Sequence, residues 1–191
     1  MIENRRPMQK TTDLLLYNND LYNPGGNALK RLLWYYTNLV FFKSGWFPFY
    51  GFKVSLLRMF GAKIGKQVEF KPHVNIKYPW NLTIGDEVWI GENVWLDSLV
   101  MITIGCNVCL SQGTMLLAGS HNYKKTTFDL ITGQIVLEDG VWIGAGAIVN
   151  QGITAHSHAV LTSGSVATKN LEPYSIYQGN PAIKVRTRTI E

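Results

Sequence analysis

His121 stands in the run Gly119-Ser120-His121-Asn122-Tyr123, a polar, glycine-led stretch of the kind that presents a side chain from a loop. A neutral imidazole takes a proton from a hydroxyl near neutral pH and hands it back later, so His121 is the candidate general base. The other histidines suit chemistry less well. His73 falls on an outward position, and His156 and His158 are two apart, a spacing that imitates a metal pair. A zinc site needs three or four converging ligands with support behind them, and nothing near these two supplies the rest, so no metal is expected. Cys106-Asn107-Val108-Cys109 has the spacing of a redox pair, but no helix follows to lower a thiol pKa and no second pair completes a metal set. These two are read as buried or corner cysteines, and their small number fits a reducing compartment.

What positions His121 is a repeat of six. Apolar marks fall at Ile64, Phe70, Ile76; Ile84, Ile90, Leu96; Ile104, Leu110, Leu116; Leu137, Ile143, Val149; and Ala155, Leu161, Ala167. Glycine follows the mark at Gly65, Gly85, Gly91, Gly105 and Gly144. Neither a helical period of 3.6 nor a strand period of two produces this pattern. Three sixes to a turn predict a three-sided parallel β-solenoid of about five coils, each mark pointing into a narrow interior. The rhythm slips by two residues after Ile76 and Leu96, and by a long insertion, residues 118–134, after Leu116. All three slips belong to one corner. His121 lies five residues past Leu116, at the root of that insertion.

The predicted organisation is an N-terminal extension (1–63) with two short helices, the solenoid (64–172), and a C-terminal tail (173–191). The helices are expected over about 28–42 and 52–59, separated by Gly45 and Pro48. Of 191 residues, the first 63 carry nine Lys/Arg against Glu3, Asp13 and Asp20, whereas the whole chain is only +5. Arg5, Arg6, Lys10, Lys30, Arg31, Lys43, Lys53, Arg58 and Lys63 thus sit beside a run of aromatics from Trp34 to Phe60. One reading is a cap over the open first coil. A second adds peripheral membrane contact through residues 27–60, with Lys30, Arg31, Lys43 and Lys53 on headgroups and aromatics at the interface. Nucleic acid is not expected, because no binding module accompanies the charge. The first 27 residues lack the basic-then-apolar order of a signal peptide, and Leu32 to Phe42 is too short to span a bilayer. A cytoplasmic protein, at most on the inner face of the membrane, is the expectation.

The grid, the loop histidine and the ending Gly179-Asn180-Pro181-Ala182 together resemble the hexapeptide-repeat acyltransferases. The similarity covers about residues 27–188 and is closest to the colanic-acid-biosynthesis type of O-acetyltransferase. It is carried by Leu57-Arg58-Met59-Phe60-Gly61-Ala62-Lys63-Ile64-Gly65, Tyr78-Pro79-Trp80, the His121 run and Val141-Trp142-Ile143-Gly144. Maltose and nodulation-factor acetyltransferases are more distant relatives. The resemblance implies a left-handed winding, which general crossover preferences would not predict. It also implies a homotrimer with sites between neighbouring subunits, acetyl-CoA as co-substrate, and His121 as base toward a saccharide hydroxyl.

Residue by residue, the family pattern carries over to Ala145 and Ser163 as backbone contacts of the pantetheine arm, and to Thr168, Lys169 and Arg186 nearer the nucleotide phosphates. On the acceptor side the match loosens. Maltose-type relatives place an asparagine where this chain has Gly91, so Asn93 or the Asp97-Ser98 pair is expected to substitute, with Tyr123 beside the base. Asp129 is the loop carboxylate nearest the family position, expected either to orient His121 or to bind a sugar hydroxyl. Two alternatives remain open, an N-acetyltransferase and a scaffold, and a third is set aside. An amino sugar would be N-acetylated by the same base. A γ-class carbonic anhydrase would need three zinc histidines that these positions do not match. A non-catalytic scaffold would bind no acetyl-CoA.

Overall fold

The computed structural model describes residues 10–191; Glu3, Arg5 and Arg6, counted above, lie outside the described residues. All fifteen marks of the repeat are buried, and each lies in a strand. The strands are two or three residues long and stack as three parallel sheets, one for each side of a prism. The first face runs Lys63–Ile64, Leu82–Ile84, Ile102–Ile104, Ile135–Leu137 and Thr154–Ala155. The second starts at Glu69–Phe70 and ends at Ser175–Gly179, which Ala182–Thr187 closes by antiparallel pairing. The third runs from Asn75–Ile76 to Val166–Ala167. Registers place mark over mark: Ile64 pairs with Ile84, Ile84 with Ile104, Ile104 with Leu137 and Leu137 with Ala155. Five full coils result, with a sixth strand on the second face.

Two corners are turned tightly, the same way in each coil. Between first and second faces, Gln67, Glu87, Asn107, Gly140, His158 and Tyr174 all have positive φ. Between second and third faces the column is His73, Asn93, Gly113, Gly146 and Gly164. Glycine has no steric cost there, and the other residues are held in the left-handed region by stacked coils on either side. The third corner carries the slips and the insertion, as the spacing predicts.

The N-terminal helices close the open first coil. α1 (Ala28–Thr37) is capped by Asn27, whose side chain accepts from the Lys30 N–H, and continues through a π-helical turn, Asn38–Phe42. α2 spans Tyr50–Met59, starting two residues before the expected boundary. In every other coil the carbonyl of the mark accepts an N–H from the coil before, as Ile84 does from Gly65. The first coil has no predecessor, so the carbonyls of Ile64, Phe70 and Ile76 would be orphaned. The cap supplies one donor for each: Arg58 to Ile64 at 2.8 Å, Lys53 to Phe70 at 3.5 Å, and the Trp34 indole to Ile76 at 3.0 Å.

Lys53 is therefore not a headgroup ligand, as the sequence had suggested, but a buried plug, 1% exposed with its ammonium 5.9 Å from the Phe42 ring centroid. Burial lowers its pKa below the ordinary lysine value. At low pH both folded and unfolded chains hold the proton and the desolvation cost is carried in full. As pH rises through the lowered folded pKa toward about 10.4, the folded state sheds its proton first, so stability rises. The neutral amine still donates to Phe70. Urea unfolding should show wild type gaining stability across that alkaline window, and Lys53→Met should lack the gain; parallel pH profiles would disprove the buried charge.

Candidate active site

After Leu117 the chain leaves the third face and forms an antiparallel hairpin from Gly119–His121 and Leu130–Thr132. His121 ends the outgoing strand. Its ring stacks on Phe128 at 4.5 Å and 7°, and Nδ1 lies 2.9 Å from the Phe128 carbonyl oxygen. A carbonyl only accepts, so Nδ1 must carry the proton and Nε2 keeps a free lone pair. Phe128 itself adopts φ 49°, a rare conformation for an aromatic residue. That backbone strain turns its carbonyl onto the imidazole, a use of strain expected at a working site. The orienting group is thus a main-chain carbonyl. Asp129 does not orient His121, because its carboxylate lies 2.7 Å from the Lys125 ammonium, which with Thr127 holds it below the usual carboxylate range.

A second feature has no signal in the residue pattern. The segment 13–24 runs along the third corner against the hairpin. The Asp13 N–H donates to Thr126, the Tyr22 hydroxyl to the Leu99 carbonyl, and the Trp80 indole to Pro24. Tyr17 comes to 5.7 Å from the His121 ring, so the imidazole sits beside Phe128 and Tyr17. Between this segment and the hairpin lies a cleft of about 780 Å³, lined by Asn18, Asp20, Tyr22, Asp129 and Thr132 among others. These are side chains suited to hydroxyl-rich ligands. The extension is therefore more than a cap, since part of it walls the site.

The expected acceptor residues separate. Asp97 ends its strand on the third face, one coil from the hairpin, and its carbonyl accepts the Ala118 N–H. Burial pushes its carboxyl above the ordinary range, against the pull of Lys77. Burial, then Tyr78 and Asp97, raise the Tyr22 phenol likewise. Tyr123 is exposed on the hairpin, its N–H donating to the His121 carbonyl. Asn93 lies on the opposite border of the third face, at a positive-φ corner. Ser98 is overturned as a ligand: it is fully buried, and its hydroxyl both donates to the Tyr78 carbonyl and accepts the Tyr78 N–H.

On the cofactor side, Ala145 and Ser163 stack at the corner between second and third faces, where the Gly164 N–H donates to the Ala145 carbonyl. From Gly113 onward the positive-φ position of this corner is glycine in each coil. A Cβ on Gly146 or Gly164 would meet nothing within 4 Å, so backbone faces open space there. Thr168 and Lys169 lie exposed across the third face, and Arg186 is exposed on the closing hairpin. Neither cation has a carboxylate partner among the described residues. Exposed main chain on the same solenoid as unpaired cations suits an extended ligand with phosphates.

The remaining histidines and cysteines contact only their own surroundings. His73 Nδ1 bonds the Lys43 carbonyl, His156 pairs with Glu138 at 2.9 Å, and His158 stacks on Tyr174 at 4.7 Å. Cys109 sits on the second face with its thiol pushed up by burial, so it is not an activated thiolate, and Cys106 occupies a corner.

Over 166 residues the chain is 39% identical to WcaF of Escherichia coli (strain K12), described as a colanic acid biosynthesis acetyltransferase; the match spans 86% of this chain and 90% of WcaF. Galactoside O-acetyltransferase of the same organism is 27% identical over 135 residues, 69% of this chain and 66% of that protein. Among solved structures, a hexapeptide-repeat acetyltransferase of Vibrio cholerae O1 biovar eltor in complex with acetyl coenzyme A superposes with a TM-score of 0.76 at 25% identity, covering 85% and 88% of the two chains. No family model matches.

Proposed function

The chain belongs to the hexapeptide-repeat acetyltransferases, and from that premise we propose an enzyme that moves acetyl from acetyl-CoA to a sugar hydroxyl during cell-surface polysaccharide assembly. The observation that carries the reading is the His121 ring, fixed by the Phe128 carbonyl with Nε2 free. Nε2 takes the proton of the acceptor hydroxyl as its oxygen attacks the thioester carbonyl. A backbone N–H or polar side chain stabilises the tetrahedral oxyanion. Collapse breaks the C–S bond, and the departing thiolate receives the proton from the imidazolium. No acyl-enzyme is required, because thiolate is already a good leaving group.

Ala145, Ser163, Thr168, Lys169 and Arg186 form the acetyl-CoA side of this reading, and Asp97, Tyr123, Asp129 and the cleft under residues 18–23 form the acceptor side. Within one chain His121 and the Ala145–Ser163 column border opposite edges of the third face. A homotrimer, in which one subunit's hairpin meets its neighbour's column, brings them together and gives Asn93 a route to the site. We place the enzyme on the cytoplasmic side, with residues 27–60 against the membrane; no helix among the described residues is long and apolar enough to cross one.

The test is release of free thiol from acetyl-CoA against a panel of sugars, oligosaccharides and amino sugars. Turnover with a hydroxyl acceptor supports the reading, preference for an amine redirects it to N-acetylation, and absence of acetyl-CoA binding overturns it in favour of a scaffold. The two halves of the site should part kinetically. Lys169→Gln and Arg186→Gln should each raise the KM for acetyl-CoA about tenfold, the low end for one hydrogen bond to a charged group. Asp97→Asn and Asp129→Asn should raise the acceptor KM only.

A further inference from the structure

α1 is amphipathic the wrong way round. Leu29, Leu32, Leu33, Tyr36 and Val40 recur at the spacing of a buried helical face. Yet they are 63, 53, 52, 57 and 40% exposed. The face that packs inward buries Trp34, Asn38 and Phe42. Trp46, Phe49 and Phe52, also exposed, extend the apolar surface past the helix. An apolar surface of this extent on a cap marks a site of contact.

Charge indicates what covers it. Between Asp20 and Glu69 the chain has no carboxylate, while Lys30, Arg31, Lys43, Lys53, Arg58, Lys63 and Lys66 are all cationic. Lys53 and Arg58 are used up on the first coil, but the others remain at the surface. Three cations also converge beside the stripe. Arg31, Lys43 and Lys77 line a pocket of about 420 Å³ walled by Tyr35, Tyr78 and Trp95, with no acidic residue in its lining. Interfacial aromatics, an apolar helical face and a basic pocket at its edge are the chemistry of an anionic lipid surface. A second protein copy would have to present acidic groups here, and this segment offers none to itself.

We propose that the cap docks on an anionic membrane, with the Leu29–Val40 stripe at the acyl boundary and the Arg31–Lys43–Lys77 pocket holding a lipid phosphate. This deepens the membrane contact proposed above and does not depend on the transfer chemistry. The pocket has a useful address. The Lys77 N–H donates to the Leu96 carbonyl, next to Asp97, so the pocket adjoins the acceptor border that leads to the His121 hairpin. A glycan hanging from a phosphate held there would reach along that corner toward the base.

The experiment is flotation of the full chain with vesicles of phosphatidylcholine alone or with one-third phosphatidylglycerol. Binding should need the anionic lipid and fall steeply with salt. Arg31→Gln, Lys43→Gln and Lys77→Gln combined should weaken it roughly a hundredfold, from about fivefold for each cation near the surface. Leu32→Ser with Leu33→Ser should weaken it as well; both side chains are exposed, so folding and acetyl-CoA binding should stay as in wild type. Equal binding to neutral vesicles, or no effect of the triple variant, overturns the proposal. So does competition by millimolar inorganic phosphate at constant ionic strength, which would make the pocket a soluble-anion site. Self-association lost in the leucine variant, with no vesicle binding, would assign the stripe to a second copy and equally overturn it.

Discussion

His121→Ala should lower acetyl transfer at least a hundredfold while leaving acetyl-CoA binding and the unfolding midpoint near wild type. Loss of a positioned general base removes about 10²–10⁴ in rate. The ring is only partly buried, and its one hydrogen bond goes to a carbonyl near the surface of a hairpin, so its removal opens no cavity in the prism. The effect should therefore appear in kcat with little change in the KM for acetyl-CoA. A drop of less than about tenfold would move the base elsewhere. A drop accompanied by a lower melting temperature would mean that the hairpin had collapsed.

The largest effect on stability is expected at the junction of cap and solenoid. Phe70 is fully buried in the first coil, its ring 6.0 Å from and nearly perpendicular to Phe42, and its carbonyl faces Lys53. Phe70→Ala removes a ring that both cap and prism pack around. Such truncations cost about 3–5 kcal/mol. At roughly 2–4 °C per kcal/mol for a chain of this size, the melting temperature should fall by about 6–20 °C. Phe70→Leu keeps most of the volume and should cost clearly less. Calorimetry distinguishes the two; equal, small losses would show that the cap is not integrated with the core.

The prism was legible because its core is written in side chains. A buried row of Ile, Leu and Val at a fixed interval has one simple geometric solution, and all fifteen marks lie inside. The corner that breaks rhythm was legible for the same reason, and with it the loop of His121. The group that orients His121 was not, because a carbonyl belongs to every residue and only the φ of Phe128 singles this one out. The strap through Tyr17 and Tyr22 was equally hidden, since its contacts join residues 56 to 113 positions apart without any periodic pattern. Ser98 misled because polarity suggests a ligand until its two hydrogen bonds to Tyr78 are seen. Lys53 misled in the same way, being basic in a basic segment yet spent on a single main-chain oxygen.

The inserted hairpin also bears on how this scaffold can diversify. From rung to rung on the first face the chain travels twenty residues (Ile64 to Ile84, Ile84 to Ile104), but thirty-three from Ile104 to Leu137, where the hairpin intervenes. Loop-closure entropy grows only with the logarithm of length, so that longer excursion costs the rung about 0.4 kcal/mol more than its neighbours. The register above and below is fixed by stacked aliphatic marks and not by the loop. Length and composition at this one seam are therefore nearly free variables: the prism tolerates new walls around the histidine while the rungs above and below stay in place.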